Sequence, residues 1–539
     1  MATKVVQFTE WTPDQPSVVT NLSYVDGVFS VENGYSPFPS AVDYSQAASE
    51  SLNNTFAGRF SATNVIFAGG TTKLFKLDGA DYSMDNVSKS GNYSGVSRWN
   101  FVQFGNTVLA ANDINKLQYF TIGSSSTFND AAASAPISKY VTVVRDFVVC
   151  ANLDSGSNAS TVQWSDINDF TDWTAGGASQ SDSQTIPDGG NITGLSGGEF
   201  GLVFLQRAIV RMSYIGSPYF FQFDTISRSL GCLEGNSIAQ HGGVTYFLAE
   251  DGFYACDGNT VSPIGTEKVD RYFFKNADPS NLSTMSATID PFRKLVIWNY
   301  KDVFAQRKLI IYNWQTKRWT NCSTDTDYVS SIVSTGQTLE GLDLPYEINA
   351  STMVTGQQYS ITDLGSGVNW TSMGAATAVV GARFTKNSTA YSGTGGKVID
   401  LAAASAAGYT LETMTTSLDS QLYTGGKFLL SATRGNKIVT FTGASSSARI
   451  DTGYIGSQYN STVTLARPIV DNGSAQVAIL SVNLLSEVKD FGAYTSANSE
   501  NRVPLRSNGK YHKLSIKPTG ASWSNALAIE IDIMPQGVR

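Results

Sequence analysis

A short unit recurs along this chain: an apolar run of four to seven residues, a Gly, Asn or Asp turn, and a second apolar run. From about residue 62 to 322 it returns every 35 to 50 residues or so, each time followed by a longer polar link, and this is the period of β-propeller blades. TNVIFAGGTTKLFKLDG reads as Val65–Ala68, a turn at Gly69–Gly70, then Leu74–Leu77. RWNFVQFGNTVLAANDINKLQYF reads as three strands split at Gly105–Asn106 and Asn112–Asp113. KYVTVVRDFVVCAN splits at Arg145–Asp146, and HGGVTYFLAEDGFYACDGN turns at Asp-Gly. Such dipeptides between alternating apolar runs are hairpin signals. About six units precede residue 322. A stack of β-sandwiches is the other arrangement with this rhythm.

Composition agrees with many turns and strands. Only 15% of the 539 residues are charged, Gly reaches 49, and aromatics reach 11%. A helical bundle would need Ala, Glu, Lys and Leu at a 3.6-residue period. Hydrophobic residues at 41% are enough for a large core and argue against long disorder.

The remaining segments divide the chain. Residues 1–60 (FTEWTPDQP, ENGYSPFPSAVDYS) are rich in Pro, Gly and turn formers and predict an extended N-terminal arm. Residues 61–344 hold the first blades, and 345–405 read as a small inserted β module opened within one loop, which costs little closure entropy. KFLLSATRGNKIVTFTG resumes the pattern, so 406–455 completes the propeller, and the alternating stretches of 456–539 form a C-terminal β module. The expected fold is therefore all-β: a propeller platform with an arm, an insert and a terminal sheet module.

Catalytic and metal signals are weak. Gly194-Leu195-Ser196-Gly197-Gly198 matches the nucleophile-elbow string, but EFGLVFLQRAIV follows it as strand, where the elbow needs a helix. Asp166, Asp169 and Asp172 share one loop, WSDINDFTDW, without the calcium-loop spacing or its Gly. GTGGK at 393–397 lacks the rest of a phosphate-binding loop. Cys150, Cys232, Cys256 and Cys322 are dispersed and read as buried apolar residues. His241 and His512 are too few for a multi-His metal site. No catalytic, cofactor or metal residue is assigned, and no enzyme activity or cofactor is expected. Arg502, Arg506, Lys510, His512, Lys513 and Lys517 form a basic stretch that suits either an acidic partner (DNA included) or a solvated strand face. The N-terminus has no apolar signal region and no run of about 18 apolar residues occurs, so no membrane span is expected.

FTEWTPDQPS, ENGYSPFPS, TVQWSDINDFTDW, SDSQTIPDGGNITGL, TISRSLGCLEGNSIAQHGGVTYFLAEDGFYACDG, RVPLRSNGKYHKLSIKPTG and the final Gly-x-Arg together resemble the tail nozzle, or tubular tail protein, of short-tailed bacteriophages. They are also similar to the packaged-DNA-stabilisation proteins of the same position. The insert, GQQYSITDLGSGVNWTSMGAATAVVGARFTKN through GTG, looks like a small β module of phage tail and structural proteins. The resemblance implies a structural virion protein of the phage tail. It would form a homo-oligomeric, hexameric ring around the exit channel, retain and then eject genomic DNA, and dock an adaptor protein and tail fibres or a needle. Six copies at −8 each carry about −48, which suits a channel along which a polyanion slides. The alternative is a receptor-binding or glycan-degrading tail protein with a sugar site in the propeller.

Overall fold

The computed structural model describes residues 2–61, 63–79, 82–334, 347–406, 426–520 and 523–536. Strand dominates, at 52% against 5% helix, and the fold is all-β.

Seven sheets of four antiparallel strands follow one another. Their first strands are Leu52–Phe60, Asn100–Phe104, Ser138–Val144, Ile192–Ser196, Ala239–His241, Ser286–Asp290 and Tyr328–Val333. The second strands are the most apolar, as in Thr107–Ala111, Phe147–Leu153 and Gly201–Leu205, where every residue is buried. A strand buried on both faces requires a sheet on each side of it.

The side-chain alternation shows how this is met. Val108 and Ala110 pack back onto Val65 and Phe67 of the preceding sheet. Leu109 and Ala111, pointing the other way, pack forward onto Val148 and Cys150. The scheme repeats: Val149 and Ala151 meet Val203 and Leu205, Phe204 meets Phe247, and Leu248 meets Val296 and Trp298. Leu295 and Ile297 then meet Val329 and Leu430, and Ile332 and Leu429 meet Ile66 and Ala68 of the first sheet. The last of these sheets thus packs against the first.

The seventh sheet is assembled from distant parts: Tyr328–Val333, Phe428–Arg434, Lys437–Thr440 and Val42–Asp43. Asp43 there accepts ion pairs from Arg434 and Lys437. Between its first two strands, which pair directly from Tyr328↔Thr433 to Val333↔Phe428, lies the inserted segment. Within it Glu347–Asn349, Gln358–Asp363, Arg383–Thr385 and Lys397–Asp400 form a separate four-stranded sheet. Its core of Tyr359, Ile361, Trp370, Phe384 and Val398 is its own. The stretches flanking this sheet, 335–346 and 407–425, lie outside the described residues.

Both chain ends build a ten-stranded sheet. Ile455–Asp471 and Val503–Thr519 are its longest strands, 17 residues each. The path through the sheet begins at Leu22–Asp26 and ends at Val28–Val31, joined only by Gly27, so the two edges approach and the sheet is nearly closed, barrel-like. Gly27 has φ +70, and a Cβ there would stand 2.2 Å from the Ser447 carbonyl oxygen.

Two expectations need correction. Residues 1–60 are less an irregular arm than a source of strands: Ala2–Gln7, Leu22–Asp26, Val28–Val31 and Gly34–Pro37 join the terminal sheet, and Leu52–Phe60 opens the first four-stranded one. Gly69–Gly70 is no turn. Both residues end the strand Thr63–Gly70, and the reversal falls at Thr71–Lys73. Gly is needed at 69 because Trp99 lies on it, with Cδ1 2.1 Å from where a Cβ would be.

Candidate functional site: the central cavity

Because each sheet packs on the next through its middle strands, the first strands are left facing one another. They enclose a cavity of about 340 Å3. Thr55, Phe101, Val141, Ser196, Gln240, Thr288 and Ser330, one from each sheet, contribute to its wall. No Asp or Glu is among the residues that line it.

The wall is tied sheet to sheet by polar side chains. Asn54 Nδ2 donates to the Trp99 carbonyl (2.7 Å), Asn100 Nδ2 to that of Lys139 (2.9 Å), and Gln240 Nε2 to that of Gly197 (2.8 Å). The Thr55 and Ser330 hydroxyls bond each other across the closing junction, and Ser330 passes on to Ser431 at 2.9 Å. Phe56 and Phe101 stack with ring centroids 5.8 Å apart.

Arg98 immediately precedes the second sheet and reaches away from it. Its Nη1 donates to the Met285 carbonyl, before the sixth sheet, at 2.7 Å, and its guanidinium lies 4.8 Å from the ring centre of Tyr328 in the seventh. It therefore bridges toward the sixth and seventh sheets while lining the cavity. Nε is buried with no hydrogen-bond partner. Burial pushes the guanidinium down to about 10, against weaker opposing influences from Tyr328 and Glu234. Tyr140 lines the same cavity, and burial, with Glu234 next, raises its phenol far above the usual tyrosine range. Gly235 leaves room for that phenol: a Cβ there would be 2.9 Å from the Tyr140 hydroxyl.

The residues singled out in the sequence are dispersed. Ser196 ends the strand Ile192–Ser196, the strand Gly201–Leu205 follows, and its hydroxyl bonds Thr245 Oγ1 at 3.0 Å, so the string makes a hairpin and no elbow. Asp166 accepts from Gln180 N, Asp169 from Thr171 N, and Asp172 from Thr174 N. These carboxylates shape their own loop, which Trp164 and Trp173 anchor from inside. Among the described residues no group of three His, Cys, Asp or Glu could hold a metal. In GTGGK, Lys397 ion-pairs with Glu347 at 2.8 Å. All four cysteines are free and buried; burial raises Cys150 and Cys232 to about 12.

The basic stretch lies mostly on the long strand Val503–Thr519 and is not one patch. Lys517 covers the Tyr494 ring at 3.9 Å, Lys513 lies over Tyr454 and Phe491, and Arg502 pairs with Glu500 at 3.0 Å. His512 points inward and is fully buried, its Nε2 2.8 Å from Ser461 Oγ and its Nδ1 2.7 Å from Ser481 Oγ. His241 sits against Trp314, ring centroids 5.0 Å apart.

Sequence reading missed Arg98 and Tyr140. The one available signal was position: Arg98 stands two residues ahead of a first strand, where the chain enters the cavity wall.

Among the described residues no helix is long and apolar enough to cross a membrane. No family model matches the chain and no curated protein matches it. Among solved structures, a computationally designed protein, Ika8, is 10% identical with a TM-score of 0.32, covering 53% of this chain and 92% of that one.

Proposed function

We propose that the chain is a seven-bladed β-propeller built as a structural component of a short-tailed phage tail: a nozzle subunit that assembles into a ring around the DNA exit path. The observation that carries this reading is where the resembling stretches fall. FTEWTPDQPS and RVPLRSNGKYHKLSIKPTG stand at opposite ends of the sequence, yet they come together at the terminal sheet, through the Trp11–Leu22 bridge and the strand Val503–Thr519. Val5, Val18 and Val19 leave apolar surface beside this sheet, as a docking platform requires. A ring of copies would also cover edge strands that a single subunit leaves open.

The experiment is electron microscopy of the assembled particle with this chain traced. A ring of copies encircling the genome path is expected, six by the resemblance. Density for the chain away from that path overturns the reading, as does a purified chain that turns over a substrate.

A second reading, a receptor-binding tail protein, is favoured by the polar cavity alone. The glycan-degrading form lacks support there, because a hydrolytic carboxylate pair has no member in the cavity wall.

A further inference from the structure

A guanidinium removed from water is costly unless a counter-charge or a full set of acceptors replaces the solvent. Other arginines have a carboxylate beside them: Arg434 pairs with Asp43 and Asp325, Arg449 with Asp451, and Arg307, whose Nε also lacks a hydrogen bond, has Asp327 at 3.6 Å. Arg98 does not. Among the described residues no carboxylate is in ion-pair contact with it, one carbonyl oxygen accepts from it, and its Nε is buried and unpaired. The other groups that face it leave the charge uncancelled. Tyr328 and Tyr140 are phenols, Arg307 is a second cation lying 5.4 Å from the same Tyr328 ring, and Glu234 spends its carboxylate capping Asn236 through N (3.2 Å) and Nδ2 (2.8 Å). The cavity beneath has hydroxyl and amide groups and no acid.

We propose that the central cavity holds an oxyanion site. Arg98 receives the carboxylate or phosphate of a molecule of monosaccharide size, whose remaining polar groups lie among the hydroxyls and amides of the wall. Three features meet there: an unpaired cation, an acid-free polar lining, and a volume of about 340 Å3, within the range of small-ligand pockets. An arginine suits either anion because its planar donors match both geometries. The inference does not depend on the tail reading; a structural ring subunit and a receptor-binding one could equally carry it.

The test is calorimetric titration of the full chain with glucuronate, with glucose 6-phosphate, and with glucose as the neutral control. Binding of glucuronate or of the phosphate ester, whichever is tighter naming the anion, is expected, with glucose at least about tenfold weaker. Arg98→Gln should lower the affinity about tenfold or more, with the far-ultraviolet circular dichroism of the native chain retained. Should that variant fold poorly, Arg98→Lys keeps the charge and loses the planar fork, and a weakening of about threefold or more is expected. Failure of both anions to bind at about 10 mM overturns the proposal. So does glucose binding as tightly as the anions, or unchanged affinity in whichever variant folds.

Discussion

Gly69→Ala is the substitution that best separates the structure from a local reading of the sequence. In a Gly-Gly turn, alanine at a position of ordinary φ would be nearly harmless. In the strand Thr63–Gly70 it is not, because the new methyl would stand 2.1 Å from Trp99 Cδ1 and 2.6 Å from Cγ. The indole cannot retreat freely: its Nε1 donates to the Gly70 carbonyl at 2.9 Å, and it packs edge-on against Tyr93 at 4.8 Å. Overpacking a filled interior costs about 1–3 kcal/mol, and the lost indole hydrogen bond adds about 1 kcal/mol. A total near 3 kcal/mol should speed hydrogen exchange of the amides of Thr63–Gly70 roughly a hundredfold, where exchange reports opening of this sheet. Trp99→Ala alone should cost about 3–5 kcal/mol. In Trp99→Ala the Gly69→Ala change should add almost nothing, since its obstacle is gone. The reasoning is refuted if Gly69→Ala exchanges like the parent, or if the two effects simply add, because either result means the methyl and the indole do not meet.

Three further outcomes can be checked directly. His512→Ala should destabilise by about 2–4 kcal/mol in urea titration, having emptied a buried site and left the Ser481 hydroxyl without its partner. Burial lowers the His512 pKa, so the unfolded chain takes up a proton before the folded one does; stability should therefore fall as pH drops below about 6.5, toward the lowered folded value, and His512→Gln should abolish that dependence. Replacing residues 335–425 by a turn of a few residues should shift the melting temperature of the remaining sheets by no more than about 2 °C, since Gly426 N already donates to the Ser334 carbonyl at 2.8 Å and the flanking strands pair without the insert; a loss of the cooperative transition would count against an independent module.

Much of the strand pattern was legible because the strands obey local rules. FVVCAN and TVLAA are continuous apolar runs, and the turns at Gly105–Asn106 and Arg145–Asp146 stand where the structure has them. The misread turn shows the limit. The reversal at Thr71–Lys73 is held by Glu50, whose carboxylate accepts from Thr72 N at 2.9 Å and Lys73 N at 2.8 Å. A partner more than twenty residues upstream leaves no trace in a local pattern. His512 looked like one more member of a basic stretch because Ser461 and Ser481, which enclose it, come from two other strands. Arg98 was illegible for the same reason: its neighbours Met285 and Tyr328 come from distant parts of the chain.

Ala2–Gln7 pairs with the far end of the polypeptide, Ala2 opposite Ile533 and Gln7 opposite Ala528. During synthesis the strand Ala2–Gln7 thus waits until Ala528–Ile533 has been made. Until then Ala2–Gln7 lacks that mate, and an unpaired strand edge is open to pairing with another chain. Closing of the terminal sheet is therefore a late event in folding, because it joins segments at great separation along the chain.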